Sequence, residues 1–207
     1  MNLVLISSNI RFDNPEDGAN AWAHRRDHLK DILLSHEPHI IATQEGRRNQ
    51  LKEFAGLLNH YEIIDNHREW IHERMYPSFF IKKNTFKVLS SNDLWLSETP
   101  HLAGSFSFGS AFPRLMTWMH IRPNHIHQDL LIVNTHLDHI KPHTRMEQTK
   151  VLINEINQIK TQNSKLIIMG DFNDGPQSEI RNYLNKSFPW YSQRRITKQF
   201  TTCMGKF

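Results

Sequence analysis

The stretch Lys165-Leu-Ile-Ile-Met-Gly-Asp-Phe-Asn-Asp-Gly-Pro176 decides the fold. Its apolar run, Leu166 to Met169, predicts a fully buried strand. The run stops at Gly170, Asp171, Asn173 and Asp174, and Gly175-Pro176 turns the chain. Polar side chains just past a buried strand are held rigidly at an open sheet edge, where catalytic groups can be preorganised. Taken alone, the stretch also reads as a turn whose Asp and Asn cap the next helix. Three other strands in the sequence end in the same way, each in a residue able to hold a metal or a phosphate.

Directly upstream, a helix over about 143–160 places Met146, Val151, Leu152, Ile156 and Ile159 on one face. Before it, Leu130-Leu-Ile-Val133 starts a strand that ends in Asn134-Thr-His-Leu-Asp-His139. The N-terminal part has the same plan. A strand over 3–6 leads into Ser7-Ser8-Asn9-Ile10-Arg11, and Asn14-Pro15-Glu-Asp-Gly18 reads as a loop. A helix from Trp22, stopped by Pro38, precedes a strand at 39–42 that ends in Thr43-Gln44-Glu45. A second helix covers about 49–59. Between the two units lie short strands at 61–64, 78–82, 86–89, 94–96 and 115–122, rich in aromatic and β-branched residues. Strands at both ends, a β-rich middle and outer helices predict an α/β fold with sheets packed face to face under helices.

With 207 residues, 38% of them hydrophobic and 22% charged, the chain is sized for one domain with a substantial core. No apolar run reaches a membrane span, and Met1-Asn2 leads straight into the first strand without a signal-peptide n-region. A single cysteine, Cys203, excludes an internal disulfide framework and points to the cytoplasm. The net charge of +4 is mild and its Lys and Arg are scattered, so nucleic acid is one candidate partner among anionic ligands. The oligomeric state is not set by the sequence.

Asn9, Glu45, His136, Asp171 and Asn173 together suit one chemistry. Carboxylate and amide oxygens are hard ligands for Mg²⁺ or Mn²⁺, and Mg²⁺ needs only one or two protein carboxylates besides substrate oxygens. Glu45 with Asn9 or Asp171 would suffice. His136 could then hydrogen-bond a phosphate oxygen or protonate a leaving group, and Asn173 could hold the attacking water or the phosphate. Each residue has a plainer reading: Asn9 as a strand-end turn residue, Glu45 as a cap of the second helix, His136 as a satisfied core histidine. Asp174, beside Gly175-Pro176, reads as a turn residue. A zinc site from His136, His139 and His143 competes, although these straddle Pro142 and have no cysteine partners. Asp138, His139 and His143 read otherwise as a polar loop at the rim.

The motifs Ser8-Asn9-Ile10-Arg11, Gln44-Glu45, Asn134-Thr-His-Leu-Asp-His139 and Gly170-Asp-Phe-Asn173 resemble, in order, those of the endonuclease/exonuclease/phosphatase superfamily. Asn20-Ala-Trp22, Leu94-Trp-Leu-Ser-Glu-Thr-Pro100 and Pro113-Arg114 agree with a small bacterial branch of it. The resemblance implies a four-layer α/β sandwich of the DNase I-like kind and a divalent-metal phosphohydrolase acting on a phosphorylated substrate. It makes Glu45 the main metal carboxylate with Asn9 and Asp171 beside it. Asp171 and Asn173 position nucleophile and phosphate, His136 contacts the phosphate or leaving group, and Asn9 and Arg114 lie near the substrate.

Departures from the pattern carry their own expectations. Members of the superfamily continue with an Ile-Asp-Tyr-like motif and a final Ser-Asp-His, whose His–Asp pair is the general base. This sequence ends at Thr202-Cys-Met-Gly-Lys-Phe207, with Phe200-Thr-Thr202 fitting the strand before those motifs. The expectation is a domain shortened at its C-terminus, with its second sheet incomplete. Loss of a general base removes roughly 100- to 10,000-fold of rate. Three readings follow: a fragment of an active hydrolase, a non-catalytic remnant that binds metal or a phosphorylated ligand, or an enzyme using His139 or His143 as base. Ser110 and Arg74 stand where acids are expected.

Overall fold

A computed structural model describes residues 3–189. Two four-stranded sheets lie face to face. The first is built from β1 (Leu5–Asn9), β2 (Ile40–Gly46), β3 (Tyr61–Ile63) and β4 (Tyr76–Lys82), in the order β1-β2-β4-β3. The second is built from β5 (Phe86–Trp95), β6 (Leu115–Pro123), β7 (Asp129–His136) and β8 (Ser164–Asp171), in the order β5-β6-β7-β8. Helices α1 (Trp22–Leu34) and α2 (Arg48–Leu57) belong to the first sheet, α3 (Pro142–Ile159) and α4 (Glu179–Ser187) to the second. The expected four-layer α/β sandwich of DNase I-like form is the observed architecture.

The layers follow from a period of two in the strands. Ile40, Ala42, Phe79 and Ile81 from the first sheet meet Met119, Ile121 and Ile132 from the second, forming the central core. Their strand neighbours point the other way. Ile41 and Phe80 pack under Leu29, Leu33, Leu51 and Phe54 of α1 and α2. Leu131, Val133 and Leu166 pack under Leu152, Ile156, Ile180 and Leu184 of α3 and α4. β1 and β2 run parallel with Asn9 opposite Gln44, and β7 and β8 run parallel with His136 opposite Asp171. Both parallel pairs therefore deliver polar residues to one end of the sandwich.

Two polar connections join the sheets inside this apolar frame. Gln44 Nε2 donates to Asn134 Oδ1 at 2.7 Å, while Asn134 Nδ2 donates to the carbonyls of Thr43 and Ser78 at 2.9 and 3.1 Å. Arg68, between β3 and β4, buries its guanidinium against Asp93 of β5 and donates as well to Ser78, Thr117 and the Pro77 carbonyl. Every polar atom named here has a partner, as burial requires.

Several local expectations are corrected. The strands expected at 86–89 and 94–96 are one strand, β5, with a register shift between Val88 and Ser90 that accommodates the polar run Ser90-Ser-Asn-Asp93. The loop expected at 14–18 opens a 3₁₀ helix, Pro15–Asn20, capped by the Asn14 side chain and broken at Gly18, whose φ is 54°. The first strand starts at Leu5 and runs on to Asn9, rather than spanning 3–6. Helix α4 follows the 170–176 turn, where the sequence reading placed a next helix without giving it bounds. Among the described residues, no helix is long and apolar enough to cross a membrane. Phe200-Thr-Thr202 and Cys203 lie outside the described residues.

Candidate active site

The ends of β1, β2 and β8 bring three of the expected residues into direct contact. Asn9 Nδ2 donates to Glu45 Oε1 at 2.7 Å and to Asp171 Oδ2 at 3.0 Å. The amide is held from behind, because Arg11 N donates to Asn9 Oδ1 at 2.9 Å. Glu45 lies where the β2–β4 register shifts, with φ at 66°, and its second oxygen accepts from Phe12 N at 3.3 Å. A non-glycine residue in that region costs on the order of 1–3 kcal/mol, a strain that concentrates at functional positions. Glu45 is thus no helix cap: the cap position of α2 is Arg47.

Gly170 explains how β8 comes so close to β7. Its φ is 136°, and a Cβ there would sit 2.1 Å from the Thr135 carbonyl oxygen. Only glycine lets the two strand ends meet in register, and this places Asp171 against His136. Asn173, with φ at 49°, folds back so that its own N–H donates to Asp171 Oδ1 at 2.9 Å. Its Nδ2 donates to the Leu137 carbonyl at 2.9 Å, which leaves the side-chain oxygen as an acceptor. Asp174 pairs with Arg145 at 3.3 Å and accepts from Gly175 N, so it serves the turn as expected. The helix that follows is capped by Ser178, not by Asp or Asn of this stretch.

His136 and Arg114 form the second half of the site. Both are buried, and Arg114 Nη1 lies 2.9 Å from His136 Nδ1 and 3.3 Å from Nε2. A guanidinium only donates, so the nearer nitrogen, Nδ1, carries the lone pair and Nε2 the proton. That proton faces Asp171, with Nε2 3.9 Å from Oδ2. Burial and the Arg114 charge push the imidazole down to about 3, so it is neutral at physiological pH. The other arm of Arg114 donates to His139 Nδ1 at 3.2 Å. The Arg114 guanidinium between His136 and His139 sets a positive charge beside these rings, which disfavours a zinc ion there.

Asp138 is not a rim residue. It is fully buried and accepts from the backbone N–H groups of Ala111, Ile140 and Lys141 at 3.0, 2.9 and 2.8 Å. Burial would raise its carboxyl, but these donors hold it below the ordinary carboxylate value. It fixes the 109–114 loop against the start of α3 and thereby positions Arg114. The signal was present in the sequence: an Asp two and three residues before backbone donors, just ahead of Pro142 at the helix start, is an Asx-type turn. Ser110, standing where an acid was expected, donates to the Phe112 carbonyl at 2.7 Å and accepts from Gln148 at 3.1 Å. Arg74 is half-buried, and its Nε has no hydrogen-bond partner among the described residues.

The donor set fits a hard divalent cation. Glu45 and Asp171 are two carboxylates joined through one neutral amide, and among the described residues neither has a Lys or Arg partner. No cluster of three or more His, Cys, Asp or Glu side chains able to hold a metal occurs among those residues. An ion here would take the two carboxylates and water or substrate oxygens, and Asn9 would join only by turning its Oδ1, which accepts from Arg11 N, toward the carboxylates that its NH2 now faces.

The sequence profile of the Endonuclease/Exonuclease/phosphatase family matches residues 6–205. Among solved structures, an endonuclease/exonuclease/phosphatase from Bacteroides vulgatus is 28% identical, with a TM-score of 0.79 over 87% of this chain and 69% of that one. A family protein from Bacteroides thetaiotaomicron is 26% identical, with a TM-score of 0.82 over 89% of this chain and 68% of that one. A mannosyl-6-phosphatase from the same organism is also 26% identical, with a TM-score of 0.81 over 89% and 71% of the two chains. No curated protein matches the chain. With the profile running through nearly the whole sequence and the sandwich shared with these structures, the chain belongs to the endonuclease/exonuclease/phosphatase family.

Proposed function

We propose that this protein hydrolyses phosphoester bonds with the help of Mg²⁺ or Mn²⁺. The observation that carries the reading is the contact of Asn9 with both Glu45 and Asp171, beside a neutral His136 and a buried Arg114. Glu45 and Asp171 would hold the ion, with Asn9 joining them once its amide turns its oxygen inward. Bound there, a hard divalent cation neutralises charge on a phosphoryl oxygen and on the leaving oxygen.

The chain's own groups divide the remaining work. Arg114 supplies a fixed positive charge for the phosphate, and His136 Nε2–H is a neutral donor aimed at the same place. Such preorganised donors favour the charge that grows in a phosphoryl-transfer transition state. Asn173 presents its side-chain oxygen to a water proton and orients the nucleophile. Asp171, fixed by Asn9 and by the Asn173 N–H, keeps the two halves of the site in register. The mannosyl-6-phosphatase among the 26%-identical structures supports testing phosphomonoesters as well as diesters. Nucleic acid is the phosphodiester class to set beside sugar phosphates in that comparison. The single cysteine supports a cytoplasmic setting.

A second reading has its own observation. Arg114 engages Nδ1 of both His136 and His139, so neither imidazole is placed as a general base. On this reading the protein binds a metal or a phosphorylated ligand without turnover. One experiment separates the two. Hydrolysis of p-nitrophenyl phosphate and bis-p-nitrophenyl phosphate is followed in Mg²⁺, Mn²⁺ and EDTA, with wild type and Glu45→Ala. Metal-stimulated hydrolysis abolished by the variant supports the enzyme. Mg²⁺-dependent thermal stabilisation that Glu45→Ala removes, without hydrolysis, supports the binder. Neither effect rejects both.

A further inference from the structure

Phe112 is a large apolar side chain left 46% exposed, yet it is firmly held. Its ring stacks on His139, with centroids 6.0 Å apart and planes at 19°. His139 is itself oriented, because its Nδ1 accepts from Arg114 at 3.2 Å. The Arg114 guanidinium lies 5.9 Å from the Phe112 ring centroid, and its other arm reaches His136. The backbone beneath is fixed by Ala111 N donating to Asp138 and by Ser110 Oγ donating to the Phe112 carbonyl. A rigid aromatic pair therefore sits at the surface one guanidinium away from His136 and Asp171.

Exposing an aromatic ring forgoes the stabilisation its burial would bring. Holding it rigid in that exposed state lowers the ordering cost when a flat partner lands on it. We propose that Phe112, backed by His139, is a leaving-group platform that stacks on the ring of a ring-bearing phosphoester. The ring is a nucleobase or a pyranose, both of which present a flat face to an aromatic side chain. The proposal rests on the reading of Arg114 and His136 as the phosphate-binding groups, and it narrows the substrate class. Acyclic phosphates such as glycerol phosphate reach the same Arg114 but gain nothing from the platform.

The test reads binding, so it does not depend on turnover. Non-hydrolysable phosphonate analogues of adenosine 5′-phosphate and glucose 6-phosphate, with propylphosphonate as the acyclic control, are titrated calorimetrically in millimolar Mg²⁺. Wild type is expected to bind a ring-bearing phosphonate about tenfold more tightly than propylphosphonate. Phe112→Ala removes that preference and leaves propylphosphonate affinity unchanged, while Phe112→Trp retains it. Which ring analogue shows the preference identifies the nucleotide or the sugar phosphate as the source. Equal affinity for all three ligands in wild type, binding of none, or an unchanged preference in Phe112→Ala overturns the platform. Glu45→Ala in the same titrations judges the metal reading separately: ring preference that survives while Mg²⁺ dependence is absent sinks that reading and keeps the platform.

Discussion

Asn9 Nδ2 donates to Asp171 Oδ2 over 3.0 Å, joining the end of β1 to the end of β8 across 162 positions of sequence. The same amide nitrogen reaches Glu45 Oε1 at 2.7 Å, so one neutral group separates two carboxylates. Replacing it by a carboxylate turns attraction into repulsion unless a cation intervenes. Asn9→Asp is therefore expected to destabilise the protein in EDTA by about 1–3 kcal/mol. In Mg²⁺ it should regain more stability than wild type, because the ion binds only the folded state. Thermal melts of both proteins with and without Mg²⁺ check this. A Mg²⁺-induced rise in Tm no larger than wild type's would argue against an ion at this position.

Gln44 and Asn134 are a buried amide pair between two apolar sheet faces, and removing Gln44 leaves Asn134 Oδ1 unsatisfied while removing Asn134 leaves Gln44 Nε2 only Ser7 Oγ. Asn134→Leu also strips the donor to the Thr43 and Ser78 carbonyls. The expected loss is about 2–4 kcal/mol, read as a lower urea midpoint with an unchanged slope. Adding Gln44→Leu should cost much less than its effect alone, since the partner it would orphan is gone. Strict additivity would mean that the pair does not couple the sheets.

Asp93 gives the pH dependence. Burial would push its carboxyl up, but Arg68 and His67 outweigh burial and hold it well below the usual 3.8. A folded-state value below the unfolded one means that the unfolded chain takes up the proton first as pH falls. The pair's stabilisation is therefore complete above the ordinary carboxylate range and is lost progressively below about pH 4. Asp93→Asn leaves a buried guanidinium without its counter-charge and is expected to cost about 3–5 kcal/mol at neutral pH. The gap between wild type and variant in urea unfolding should stay constant from about pH 7 to pH 5 and narrow as the pH falls toward 3. A gap that widens in acid would contradict the sign.

Strand ends were the legible part of the sequence. The alternation of Ile40, Ile41, Ala42 and the run Leu130–Val133 could be read as sheet positions because one face of each strand meets the other sheet and the opposite face meets helices. Polar residues placed straight after such runs had to emerge at a common edge, and Asn9, Glu45 and Asp171 do so. β5 was hidden because Ser90, Ser91, Asn92 and Asp93 interrupt its apolar pattern, Asp93 being reserved for Arg68. The bounds of α4 were not legible because only Ile180 and Leu184 of its nine residues face the core. Asp138 was misplaced at the rim because the local Asx-type turn to Ile140 and Lys141 does not reveal its burial, which comes from the distant Ala111 loop. The orientation of His136 depends on Arg114 from another strand, a tertiary fact that local reading cannot supply.

Arg114 is expected to be irreplaceable by lysine. Its planar fork donates to His136 Nδ1 at 2.9 Å and to His139 Nδ1 at 3.2 Å with one rigid group. A lysine ammonium is a single point on a flexible stem and cannot hold both imidazoles in these orientations. Arg114→Lys keeps the charge, so substrate affinity should fall modestly while kcat falls about 100-fold, the scale of losing one preorganised donor at a developing oxyanion. The ring of His136 supplies an independent readout. In wild type it is neutral with its proton on Nε2 and stays so through mild acid, since its ordinary value is pushed down to about 3. Lysine keeps the charge but no longer pins it against Nδ1, which weakens one cause of that depression, so imidazole ¹⁵N shifts should show His136 titrating at higher pH in the variant. A variant with lower activity but an unmoved His136 titration would assign Arg114 to the phosphate alone and remove its part in setting the histidine.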